Sequence, residues 1–263
     1  MAHPILDIIR LDDPTLKVLR TAALHKQVEH STDTRFGCAT PEDIDQPGYP
    51  QSLTLVPPKH LKRRGIQEQA GRNVLMHAIA HIEFNAINLA LDAAYRFTGL
   101  PDQYYRDWIG VAADEARHFS MVTSYLRDNG QEYGDYPAHN GLWNMAKETN
   151  HDALARMALV PRVMEARGLD VTPDMIERLR RVGDDDAVAI LQTIYDEEIA
   201  HVRIGSYWFE YLCHERKLEP TTTFFELVSK HYHGNLRGPF NMEARNQSGF
   251  SSGELQHLKS LER

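Results

Sequence analysis

A chain of 263 residues, 42% of them apolar and 25% charged, has the balance of an ordinary globular protein and the length for one large domain or two small ones. Its net charge of -8 argues against a broad nucleic-acid or anionic-membrane surface. Two cysteines, Cys38 and Cys213, with no C-x-x-C, argue against a thiolate zinc site, a rubredoxin-type iron site and a disulfide scaffold, and their scarcity suits a reducing compartment.

The N-terminus, "MAHPILDIIRLDD", has neither a basic region nor a long apolar run, so no signal peptide is expected. No stretch is expected to reach the roughly 20 apolar residues of a membrane span, and the expected location is the cytoplasm. Residues 12–30 read as an amphipathic helix started by Asp-Asp-Pro, and 37–58 as an irregular connector rich in Pro and turn formers. A long helical pattern runs from Ile66 to about Thr98, with Gly99 as its expected cap and Pro101 just beyond. A second spans 102–128, and a third 141–170, in which Pro161 predicts a kink or break. A short helix follows at 171–183, a fourth long one at 184–216, and another short one at 222–232. The tail has weak periodicity and a possible final helix. Strand signals are nearly absent, so the expected class is all-α. Three segments are expected: an N-terminal helix and arm (1–65), a bundle of four long helices (66–216), and a C-terminal helix and tail (217–263).

Glu and His three apart share a helix face. With 18 Glu and 14 His, chance supplies about one E-x-x-H, whereas the chain has four: Glu115/His118, Glu148/His151, Glu198/His201 and Glu254/His257. Glu115 and His118 share their face with Trp108, Val111 and Val122; Glu198 and His201 share theirs with Leu191, Ile194, Val202 and Phe209. Glu148/His151 lies among Lys147, Thr149, Asn150 and Asp152, and Glu254/His257 in a Ser/Gly-flanked tail, so these two pairs are expected to face solvent. The core-facing pairs repeat at a spacing of 83 residues. Going back 32 residues from Glu115 reaches Glu83, on the stripe of Met76, Ile79, Ala80, Ile87 and Ala90; going back 33 from Glu198 reaches Glu165, near Ala158. The chain therefore reads as two helix pairs, each supplying one Glu and then one E-x-x-H.

Four carboxylates converging in a core need cations, because like charges held close together do not all stay ionised. Two divalent ions balance four carboxylates, with one neutral His on each. Mixed nitrogen and oxygen ligation with open positions suits iron or manganese better than calcium or a closed structural zinc. Two lone Glu plus two Glu-x-x-His is also the ligand set of ferritin-like di-iron and di-manganese bundles. The competing reading of each position is an intrahelical pair or an interhelical salt bridge, and Pro161 leaves Glu165 the least secure. His77 and His81 flank Glu83 and are expected to be structural, with support of the ligands as the alternative. Glu197 could replace Glu198 as ligand, but its i,i+4 spacing to His201 has no counterpart in the first pair; Asp114, its analogue, is expected beside the site or at the surface.

The segments "HIEFNAINLALDA", "DEARHF", "VPRVMEARGLDVTP" and "DEEIAHV" resemble a bacterial family of uncharacterised ferritin-like proteins, over about residues 65–245 and including a late "GPFNMEAR". The resemblance implies a ferritin-like four-helix bundle with an N-terminal arm and a C-terminal extension. It implies a metal centre held by Glu83, Glu115, His118, Glu165, Glu198 and His201. The chain is also similar, more distantly, to the diiron tRNA hydroxylase that modifies a hypermodified adenosine.

The expected function is that of an oxidoreductase. Two ions, Fe/Fe or Mn/Fe, held by those six residues would activate O2 to oxidise or hydroxylate a small-molecule substrate, with electrons from an external donor. Peroxide reduction of the rubrerythrin type and non-enzymatic iron binding or storage are the alternatives. Tyr195, three residues before Glu198, is expected to be a packed core side chain, with a role beside the metals as the alternative. Asn241 and Arg245 either cap the site or pack the tail across the bundle. The compact basic run "PKHLKRRG" (58–65) reads as a solvated loop rather than a tRNA contact. A homodimer is left open.

Overall fold

The periodic stretches fold as helices, and no strand forms among the described residues, which in this computed structural model are 3–30, 37–61, 65–234 and 236–262. The fold is all-α. Lys62, Arg63 and Arg64 of the basic run lie outside the described residues. The chain divides into two compact units, Met1–Lys147 and Glu148–Arg263.

In the first unit, α1 (Pro4–Ile9) and α2 (Pro14–His30) precede two long helices, α3 (Gln69–Arg96) and α4 (Asp102–Asp128). The long pair packs side by side, with α1 against α3 and α2 against α4. Helix α1 was not expected from the sequence; six residues are too few for a periodic signal, and only its burial against α3 explains it. Lys17 ties the arm down, its buried Nζ donating to the carbonyls of Ile9 (2.9 Å) and Gly48 (3.1 Å) and to Asn88 Oδ1 (2.6 Å). Residues 37–58 are irregular as expected, apart from an isolated bridge between Leu55 and Ala138. Gly99 takes a positive φ of 76° in the turn after α3, but the cap residue is Phe97. Helix α5 (Gly141–Glu148) runs up to the boundary between the units.

Helix α3 overturns the expectation that no stretch is long and apolar enough to span a membrane: an 18-residue window in it has a mean hydropathy of 1.3. Of that window, 78% is buried, as expected of a core helix that is apolar nearly all round.

The second unit differs most from expectation. The stretch 141–170 is not one helix: α5 ends at Glu148, and α6 (Ala153–Leu159) starts afresh, because Asp152 accepts from Leu154 N at 3.0 Å as its N-cap. Pro161 does not break the next stretch. It opens a π-helical turn, Val160–Glu165, that runs directly into α7 (Ala166–Arg181). The separate short helix expected at 171–183 is the second half of α7, with Pro173 inside it. A proline there strips the carbonyl of Leu169 of its helical donor. Asn241 replaces that donor, its Nδ2 reaching Leu169 O at 3.2 Å. Gly183, at φ 74°, turns the chain into α8 (Asp185–Glu215), which packs back along α7, the π-helical turn and α6. Helices α9 (Pro220–His231), α10 (Met242–Gln247) and α11 (Ser252–Ser260) complete the unit.

Helix α8 approaches the π-helical turn closely because residue 205 is glycine. A Cβ there would lie 2.3 Å from Pro161 Cβ and 2.4 Å from its Cγ, and a proline ring has no rotamer in which to withdraw. Gly205→Ala is therefore expected to destabilise the protein by about 1–3 kcal/mol through overpacking. A chemical-denaturation midpoint equal to that of the wild type would refute this.

Candidate metal centre

The amphipathic face of α4 and the apolar stripe of α3 bring three donors together. Glu83 is 5% exposed, and Glu115 and His118 are fully buried. His118 Nδ1 lies 3.3 Å from Glu83 Oε2 and 3.3 Å from Glu115 Oε2, and one ligand atom from each residue fits within a mutual 4.8 Å. This is the first half of the expected constellation, assembled from two helices.

The electrostatics show what such a cluster demands. Burial, and then the charge of Glu115, push the Glu83 carboxyl well above the usual carboxylate range. At His118, burial opposes the charged imidazolium, yet hydrogen bonds to Glu115 and Glu83 and their charges push it up to about 11. Two buried carboxylates thus call for positive charge at the point where the imidazole nitrogen meets them. A protonated imidazole is one way to supply it. A divalent cation with two carboxylate oxygens and one imidazole nitrogen fits the same donors, and loading would release that proton.

The second unit repeats the E-x-x-H arrangement. His201 Nδ1 meets Glu198 Oε2 at 2.8 Å on α8; His201 is 2% exposed and Glu198 half-buried. Both pairs therefore present the same imidazole nitrogen to the carboxylate three residues earlier. Glu165 is half-buried and ends the π-helical turn. Pro161, at the start of that turn, lies against Gly205 of α8, and Glu165 is not among the residues whose ligand atoms come within 4.8 Å of one another.

The surroundings sort the remaining candidates. His77 and His81 are structural: His77 Nε2 accepts from Gly134 N at 2.9 Å, and His81 meets Tyr133 Oη at 2.8 Å and the His139 carbonyl at 3.0 Å. Asp114 forms an exposed pair with Arg117 at 3.2 Å. Tyr195 Oη accepts from Asn241 Nδ2 at 2.9 Å. Arg245 is 2% exposed and bound to Asp170 through Nε at 2.9 Å and Nη2 at 2.8 Å, so the "GPFNMEAR" segment packs the tail down. Glu148 and His151 are both exposed, as expected, and Glu148 meets the buried His231 at 3.0 Å. Glu254 corrects the expectation that it faces solvent. It is 2% exposed, because it closes the N-terminal capping box of α11 and holds Arg162 Nη2 with both carboxylate oxygens at 2.9 Å. The Glu254/His257 spacing is thus a chance match whose acid is recruited for structure.

A family model described as "Protein of unknown function (DUF455)" matches residues 10–256. An uncharacterized protein of Haemophilus influenzae is 44% identical over 221 residues, which are 81% of this chain and 77% of that one. No solved structure matches the chain significantly.

Proposed function

The chain belongs to the DUF455 family, and on that footing we propose that it is a metal-dependent oxidoreductase with a dinuclear carboxylate centre in a ferritin-like helical frame. The observation that carries the proposal is the buried Glu83, Glu115 and His118 group, whose ligand atoms converge within 4.8 Å of one another. Glu83, Glu115 and His118 are the ligands of one ion, and Glu165, Glu198 and His201 those of the other. Two ferrous ions so held would supply dioxygen with one electron each.

The side chains have separate tasks. The carboxylates of Glu83 and Glu115 provide the negative charge that retains a dication in a buried place. His118 Nδ1, 3.3 Å from both carboxylates, would supply the neutral nitrogen donor, with release of a proton on loading. Phe84 and Phe119, next in sequence to Glu83 and His118, are buried with their ring centroids 5.2 Å apart. Small-molecule substrate and external electron donor are parts of this reading.

Anaerobic ferrous loading is expected to saturate at about two ions per chain. Glu115→Ala and Glu198→Ala are each expected to reduce that uptake. Near-zero binding by the wild type, or uptake unaltered in both variants, overturns the proposal. Faster oxidation of the loaded protein by O2 than by peroxide supports an oxygen-using enzyme; the reverse order favours peroxide reduction. Assembly into a large shell by light scattering favours storage.

A further inference from the structure

The π-helical turn has one residue more than an α-helical turn would, so it rotates every later side chain by about 100° around the axis. Glu165 is the last residue of that turn. Its direction therefore depends on whether the π register is kept, and Ala166 N to Pro161 O is a hydrogen bond of that register. A π-helical turn is a rare and strained arrangement, so something must hold it.

Arg162, the residue after Pro161, is the held point. It is 1% exposed, and its guanidinium carbon stands 4.6, 4.5 and 4.5 Å from the ring centroids of Phe209, Phe224 and Phe250. Its Nε donates to Ser206 Oγ at 3.2 Å, and its Nη2 to both oxygens of Glu254 at 2.9 Å. Glu254 is fixed in turn, since its Oε2 accepts from Ser251 N at 2.8 Å while its own N–H donates to Ser251 Oγ at 3.2 Å. The peg has one orientation because its socket comes from α8, α9 and the C-terminal segment together.

We propose that the Arg162–Glu254 pair is a positioning element of the metal centre: it pegs the π-helical register and so aims Glu165 at the ion held by Glu198 and His201. This rests on the dinuclear reading above. It gives the C-terminal segment a task in metal binding, although no residue of that segment is a ligand.

Cobalt(II) titration of the full chain tests this, with its visible absorption reporting the coordination. Two variants are compared with Glu165→Ala. Glu254→Gln removes the charge. Arg162→Met with Glu254→Leu replaces the pair by apolar groups, a change that buried ion pairs often tolerate without loss of fold. Each variant, with helix content confirmed by circular dichroism, is expected to bind cobalt 10–100-fold more weakly at the affected ion and to give the spectrum of Glu165→Ala. Adding Glu165→Ala to either variant is expected to change nothing further, whereas a merely structural pair gives losses that add. Additive losses, or a wild-type spectrum in both variants, overturn the proposal. Hydrogen exchange at Ala166 N–H is the readout that needs no metal, and it is expected to quicken in both variants. If the wild type takes up no cobalt, the dinuclear reading falls separately, and unaltered exchange at Ala166 then overturns the pegging as well.

Discussion

Asp170→Ala is expected to destabilise the protein by about 3–5 kcal/mol, the cost of leaving a buried charge without its partner. Asp170 Oδ1 accepts from Arg245 Nε at 2.9 Å and from Asn241 N at 2.9 Å, while Oδ2 accepts from Arg245 Nη2 at 2.8 Å. Arg245 is 2% exposed and lies near the rings of Phe240 and Phe250, at 5.2 and 4.9 Å, so water does not replace the lost carboxylate. Asn241 also loses its anchor, and with it the donor that satisfies Leu169 O beside Pro173. Urea denaturation monitored by circular dichroism measures the effect. Asp170→Leu combined with Arg245→Met, which removes both charges, is expected to recover most of the loss. A single-variant loss below about 1 kcal/mol would show that the pair is no more than a surface-type bridge.

The first unit is expected to lose stability in mild acid through His77. Burial lowers this imidazole from its ordinary value near 6.5 to about 4, against an opposing pull from Asp135. The structural reason is direct: Nε2 accepts from Gly134 N at 2.9 Å, and a protonated nitrogen has no lone pair to offer. The unfolded chain takes up the proton between pH 6.5 and 4 while the folded one resists it, so stability rises with pH across that window. The contribution is fully present above about pH 6.5 and is lost as pH falls toward 4, a total of about 3 kcal/mol at 1.36 kcal/mol per unit. His77→Gln, which keeps an acceptor but does not titrate, is expected to have a flatter stability profile than the wild type. Parallel profiles from pH 8 to 4 would refute the assignment.

Local features of this protein were legible in its sequence because their causes are local. Helix α4 runs from Asp102 to Asp128 as read, bracketed by Pro101 on one side and by Asn129 and Gly130 on the other. The Glu115/His118 and Glu198/His201 faces follow from helical spacing alone, and Glu83 joins the first because α3 and α4 are neighbours in sequence. What was illegible depends on distant partners. Glu254 looked solvated because Arg162, 92 positions earlier, is what buries it. Residues 171–183 read as a separate short helix because the remedy for Pro173, Asn241, acts on Leu169 from 72 positions away. Pro161 was a breaker by its own chemistry, and only Gly205 and the Arg162 socket let it become a π-helical turn.

The same contrast in reach orders the events of folding. Glu83 and His118 are 35 residues apart on an α-helical hairpin, and closing so short a loop is entropically cheap. Arg162 and Glu254 meet only after 92 residues have been gathered, and Asn241 reaches Leu169 across 72. Of the proposed ligands, the α3–α4 triad should therefore assemble first and the Glu165 turn last. On the proposed reading, a newly made chain would pass through a stage in which the α3–α4 triad alone can take an ion.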